Sequence, residues 1–387
     1  MNVPLSRPAP IPVPASTLPG ALRAHRDELA AAAAADDERE DFPTAAMALL
    51  RSTGCLKAVL PESHGGIGLG WKAGSWPLLY DVLRAIGGAH LSAARLFEGH
   101  VNAFQLLWIF GTPQQRQALC AYVAGGGLLA VWNAPSPAGD MVLLDAGPGT
   151  FRLHGTKAYA SGAGHIQRPL VTARHESLGL LMVWPDVAHS PGPPGEWCMQ
   201  GMRASISRSV HFDGIVRQSQ VFGHRDDYHR QPLFSGGAWR FLAAQLGAGE
   251  MLCELMRCGL RERGRSGDPH QRARLAECVM ALETAAMWVS TAACTLDTAT
   301  EDPARSMACT GMARLTVERC LLDVIERVQR SVGLAAFSRR SPIERIARDL
   351  ATYLRQPAPD ALRDGIGETC FETPLPGLAG SPYASET

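Results

Sequence analysis

Chemistry in this chain could come from a small set of side chains, each with a plainer role available to it. His64 sits in a glycine-rich loop, His100 in a helical stretch and His165 just past Ser161-Gly162. An imidazole can act as acid or base near neutral pH, although most such histidines are structural; His165 is the preferred candidate. Two carboxylates could take a proton. Asp360 follows Pro357 and Pro359, and its plainer role is to cap the segment 361–364. Glu250 lies on an apolar helix, where its plainer role is an ion pair with an arginine of a helical bundle. Arg263 and Arg265, within Arg261-Glu-Arg-Gly-Arg-Ser-Gly267, could pair with phosphate oxygens or form a solvated basic turn. The ten cysteines run from Cys55 to Cys370 without a Cys-x-x-Cys pair, which argues against zinc and for reduced, mostly buried thiols.

The elements that must position these groups change character twice. Residues 1–18 carry five alternating prolines and are expected to form a disordered leader. From 19 to 124 the apolar spacing is helical, with a loop at Pro61–Gly70, an interruption at Gly87-Gly88 and a helix start at Thr112-Pro113. From 125 to 230 short apolar runs bounded by Gly, Pro, Asp or Ser read as strands: 128–132, 151–153, 169–174, 178–184 and 210–212. A proline-rich loop at 189–196 lies among them. From 231 to 368 the helical period returns, with starts at Asp268-Pro269, Asp302-Pro303 and Pro342, and 369–387 is a tail. Helix–β–helix order makes the fold class α+β rather than alternating βαβ. Gly247-Ala248-Gly249 therefore reads as close helix packing and not as a dinucleotide fingerprint.

Lys plus Arg and Asp plus Glu both number 37 in the 387 residues, so a nucleic-acid or anionic-membrane partner is not expected. Hydrophobic residues at 46% are ample for a core of two or three domains. Met1 to Pro19 has neither the basic start nor the apolar stretch of a secretory signal, and no stretch of about 18 uncharged apolar residues occurs. A cytoplasmic protein is the expectation.

Six blocks in order resemble the acyl-CoA dehydrogenase flavoprotein superfamily. They are Leu60-Pro-Glu-Ser-His-Gly-Gly-Ile-Gly, Gly111-Thr-Pro-Gln-Gln-Arg116, Gly155-Thr-Lys-Ala-Tyr-Ala-Ser-Gly162, Gly201-Met-Arg-Ala-Ser205, Val210-His-Phe-Asp213 and Pro342-Ile-Glu-Arg345 through Arg348-Asp349. The resemblance spans about Leu22 to Asp364 and implies an N-terminal helical domain, a middle β-barrel domain and a C-terminal four-helix bundle, self-associating to a dimer or tetramer.

The resemblance further implies a flavin between β domain and bundle. Trp132 and Asn133 fall at a flavin-contacting position, with Asn133 offering its amide to the ring edge. Tyr159 falls where an aromatic covers the ring, beside Ala160, and Ser161 where a hydroxyl approaches the redox-active nitrogen. Gln329 and Gly333, in Gln329-Arg-Ser-Val-Gly333, correspond to the turn that approaches the adenosine half of FAD from a neighbouring subunit, with Val332 in place of one glycine. Arg263 and Arg265 stand in the region of the partner element. The family's catalytic glutamate position falls on Pro357, and its alternative site, the residue before Arg240, is Trp239. Asp360 is then the candidate displaced base. The leading expectation is an FAD-dependent oxidoreductase oxidising an acyl thioester at Cα–Cβ, with an unassigned electron acceptor. Alternatives are a two-component flavin monooxygenase on the same fold (FMN possible there), which needs no α-proton base, and a catalytically inactive flavoprotein or scaffold.

Overall fold

Helices open where capping residues and prolines predict them. The computed structural model describes residues 17–137, 139–187, 197–297 and 303–372. The leader up to residue 16, the proline-rich loop at 189–196 and the tail beyond 372 lie outside the described residues. The chain starts with α1 (Leu18–Ala24), α2 (Arg26–Arg39), α3 (Thr44–Ser52), α4 (Trp76–Ala89), α5 (Leu91–Phe110) and α6 (Pro113–Ala124). At the start of α6 the Thr112 hydroxyl accepts from the Gln115 N–H and the Gln115 side chain accepts from the Thr112 N–H, satisfying two amides that a helix start leaves unpaired.

Seven strands follow: β1 (Val131–Trp132), β2 (Val142–Gly147), β3 (Thr150–Ala160), β4 (Leu170–His175), β5 (Gly179–Val183), β6 (Arg208–Arg217) and β7 (Val221–Phe222). They form one sheet in the order β6-β3-β2-β4-β5-β7, with β1 parallel to β4. β3 and β6 are several residues longer than their apolar cores, because polar residues on their exposed faces pair through the backbone just as well. β2 was not legible because four of its six residues are exposed.

The C-terminal part comprises α7 (Leu233–Gly236), α8 (Trp239–Glu262), α9 (Pro269–Asp297), α10 (Pro303–Val332), α11 (Pro342–Tyr353) and α12 (Pro359–Glu372). One expectation about the helices is corrected: Gly87-Gly88 does not interrupt α4. A Cβ on Gly87 would lie 2.1 Å from the Ala244 carbonyl oxygen, and one on Gly247 would lie 2.1 Å from that of Arg84. The glycines let the backbones of α4 and α8 touch, locking the N-terminal domain to the bundle. This is the packing role expected of Gly247-Ala248-Gly249.

Cys55, Cys120, Cys253 and Cys278 are buried, whereas Cys198 and Cys294 are exposed. Among the described residues, α9 is long and apolar enough to cross a membrane by length and composition, with a mean hydropathy of 1.3 over 18 residues. It packs on α8 and α10 through Cys278, Leu282, Ala285 and Val289, and shows Val279, Met280 and Met287 on its outer face.

Candidate active site

Strand β3 ends in an irregularity at the edge of the sheet, where the candidate flavin-side residues lie. Its pairing with β6 shifts between Lys157 and Ala160, and Tyr159 takes a φ of 51°, in the left-handed region that a bulky side chain avoids. Such strain persists where the surroundings impose it. Its effect is to turn the Tyr159 ring out of the sheet, 60% exposed, edge-on to Trp197 at 6.4 Å. Ala160 is buried. Ser161 begins a row of three hydroxyls, Ser161–Ser207–Ser205, with 2.8 Å between neighbours. Two bonds consume two of the three protons, and the third is left on whichever end, Ser161 or Ser205, the row of donors runs toward.

The loop carrying Ser205 and Ser207 is anchored to the bundle. Asp349 of α11 accepts from the Met202 N–H at 2.7 Å, and Arg348 donates to the Gln200 carbonyl at 2.8 Å while pairing with Asp37. Burial raises the Asp349 carboxyl to about 6. Gly201 fits beneath α11 because a Cβ there would meet the Arg348 carbonyl at 2.3 Å.

Opposite the sheet, α5 contributes a charged cluster that no local pattern announced. Glu98 is buried and accepts from Arg95, from Asn102 and, at 3.3 Å, from the Tyr353 hydroxyl. Arg240 of α8 is also buried; it donates to Asn102 and, at 2.8 Å each, to the Gly70 carbonyl and Gln105. No carboxylate touches Arg240, and burial pulls its guanidinium down to about 10. Its Nε has no partner. Tyr228 connects this cluster to the sheet: its hydroxyl bonds Asn133 and lies within the fields of Arg95 and Glu98.

The expected site residues divide between those gathered here and those elsewhere. Tyr159, Ser161 and Asn133 lie near one another at the end of β3 and the end of β1, joined through the Trp132 bond to the Ser161 carbonyl. The Asn133 amide is tethered, accepting from Thr172 and bonding Tyr228, which leaves one N–H for a ligand rather than the whole group. Trp132 presents no ring to solvent: it is 2% exposed, and its indole N–H holds the Ser161 carbonyl at 2.9 Å, so it positions the Ser161 turn from behind. Arg265 pairs with Asp268 at 2.7 Å and lies beside Gln271, which approaches Ser331; Arg263 is exposed on the same turn. The basic turn and the Gln329–Gly333 segment thus share one end of the bundle, away from Tyr159, Ser161 and Asn133.

Asp360 is corrected. It is 91% exposed, stands in the first turn of α12 and pairs with Arg363 at 2.9 Å, far from a position enclosed with a substrate. Glu250 pairs with Arg84 of α4, an arginine of the N-terminal domain and not of the bundle. His165 stacks on Phe42 at 4.1 Å, His64 is exposed, and His100 is buried between two backbone groups.

Residues 21–127 match the family model described as acyl-CoA dehydrogenase, N-terminal domain. The chain as a whole carries the three-part fold of the acyl-CoA dehydrogenase-like flavin enzymes. An FMN-bound crystal structure of TdsC from Paenibacillus sp. A11-2 superposes with a TM-score of 0.82 at 20% identity, over 92% of this chain and 96% of that one. In sequence, the chain is 28% identical to the amino sugar nitrososynthase DnmZ of Streptomyces peucetius over 81% of its own length and 83% of that protein. It is also 28% identical to a dibenzothiophene monooxygenase of Rhodococcus qingshengii, over 52% of its length and 48% of that enzyme. The superposed TdsC structure holds FMN, and none of the three is an acyl-CoA dehydrogenase by name.

Proposed function

We propose that this protein is a flavin-dependent monooxygenase that takes up reduced FMN and oxygenates a small molecule at nitrogen or sulfur. The observation that carries this reading is the absence of an available base. Among the described residues the buried carboxylates are Asp36, Glu98 and Asp349, and each is engaged: Asp36 by Arg39 and His90, Glu98 by Arg95, Asn102 and Tyr353, Asp349 by the Met202 N–H. With Pro357 at the glutamate position and Asp360 facing solvent, no buried carboxylate among the described residues is left free to remove an α-proton, which acyl thioester oxidation requires. Oxygenation has no such requirement.

These residues suit a flavin ring. The spare Asn133 N–H and, with the serine row running toward it, the Ser161 hydroxyl are donors for ring acceptors, Tyr159 offers an exposed aromatic face, and Arg95 and Arg240 supply positive charge. Bound reduced flavin would supply the two electrons that activate oxygen. The protein's part is to hold a donor at Ser161 through the serine row and to keep Asn133 in place through Thr172 and Tyr228. FMN is preferred over FAD because the adenosine-side residues are compromised: Val332 replaces a glycine, and Arg265 is already paired. Self-association is proposed through the outer face of α9, where Val279, Met280 and Met287 are exposed, with sedimentation of the full chain as its test; a monomer refutes it.

The functional reading is tested by mixing the purified chain without oxygen with reduced FMN and separately with acyl-CoA thioesters. Uptake of reduced FMN, followed by oxygen-dependent turnover of an amine or a sulfur compound, is the expected result. Anaerobic bleaching of protein-bound oxidised flavin by an acyl-CoA would overturn it.

A further inference from the structure

The charge around Arg95 does not balance. Every residue of α5 from Leu91 to Val101 is buried except Arg95, which keeps 27% of its side-chain surface. Arg95 is thus the one side chain of that stretch that a solute can reach from outside. Asn102, Asn133 and Phe241 around it are likewise only partly buried. Within the cluster two guanidinium cations, Arg95 and Arg240, face one carboxylate, Glu98, so one positive charge has no counter-ion. Lys157 does not redress this: it bonds the Asn133 carbonyl at 3.2 Å and Thr172 at 3.1 Å, and the carboxylate acting on it is the exposed Asp140. Glu98 already accepts three bonds, so it offers little to a cationic ligand. Arg95 bonds Glu98 and Tyr353, which leaves most of its five N–H donors available in a fixed planar fork. An interior cation without an anion is costly unless a ligand supplies one.

We propose that Arg95 is the anchor for an acidic group of the substrate, a carboxylate or a sulfinate, whose two oxygens match the guanidinium fork. The proposal rests on reading this region as the monooxygenase's substrate site, and it names the substrate class: a small molecule with one negative charge next to the atom that is oxygenated. Asn102 and Tyr353 act as positioning residues, holding Glu98 and, through it, Arg95. The anionic ring of reduced flavin presents the same chemistry as an acidic substrate, and the test separates the two.

Binding of phenylacetate and benzenesulfinate is compared by calorimetry with that of neutral phenylacetamide, on the full chain with and without FMN. The acids should bind about tenfold or more tightly than the amide, the order expected of a charge-assisted bond. Arg95→Met should abolish the difference, and Arg95→Lys should retain part of it. Because Arg95→Met strands Glu98, the double variant Arg95→Met/Glu98→Gln serves as a folded control and should also bind acid and amide equally. Equal binding of acid and amide to the unaltered chain would overturn the proposal. So would an Arg95→Met that loses affinity for reduced FMN while still preferring acids, which assigns the charge to flavin. A chain that prefers acids through Arg95 yet takes up no reduced FMN would defeat the monooxygenase reading and leave this one standing.

Discussion

Two faces of α5 bury polar groups, and they satisfy them in opposite ways. On one face the His100 ring is fully enclosed, donates through Nε2 to the Leu56 carbonyl at 2.9 Å and accepts at Nδ1 from the Leu129 N–H at 3.1 Å. Both nitrogens have partners, the neutral tautomer is fixed, and the residue pins α5 to the segments on either side. On the other face, Arg95, Glu98 and Asn102 meet Arg240 in a cluster with one cation too many and an unpartnered Nε. A satisfied buried group rigidifies a fold, whereas an unbalanced one points to something that must arrive from solution.

The largest expected effect falls on the charged face. Glu98→Ala would leave the partly buried Arg95 without its ion pair and the buried Arg240 without a carboxylate in its neighbourhood, and a loss of about 3–5 kcal/mol in denaturant unfolding is expected. A variant as stable as the parent would break the contrast, because Glu98 would then not be holding those charges. Next comes the neutral face. Burial holds His100 down to about 4, against 6.5 in the unfolded chain. The unfolded state therefore binds the extra proton between those values, so the stability due to His100 is complete above pH 6.5 and is lost as the pH falls toward 4. The loss amounts to about 3 kcal/mol. His100→Gln should flatten that limb of a stability-versus-pH curve; an unchanged limb would mean that other groups govern it. The smallest effect belongs to Asp360→Asn, which removes only an exposed pair with Arg363. No change in unfolding midpoint or in turnover is expected, and a loss of turnover would restore Asp360 as a base.

Much of the fold was legible because its signals are local. Thr112-Pro113, Asp268-Pro269 and Ser341-Pro342 start helices through bonds within four residues, and Tyr-Ala-Ser-Gly ends a strand where its register matches a known family. What escaped depends on context. Gly87-Gly88 looks like a break until Ala244 and Gly247 are laid against it. Trp132 looks like a cofactor contact until its indole N–H is found holding Ser161. Tyr159, Ser161 and Asn133, named from the resemblance, come together near the end of β3. Arg95 and Glu98 were not legible, since on α5 they resemble any i, i+3 ion pair.

Order of elements, caps, the proline in place of a catalytic glutamate and the zero net charge are properties of the chain read residue by residue. The excess positive charge around Arg95 is not, because Arg240 reaches Gln105 across 135 positions and Tyr353 reaches Glu98 across 255. Charges balance in space rather than along the chain. Only the packing of α5 against the sheet and α8 could decide which of them were left without a partner.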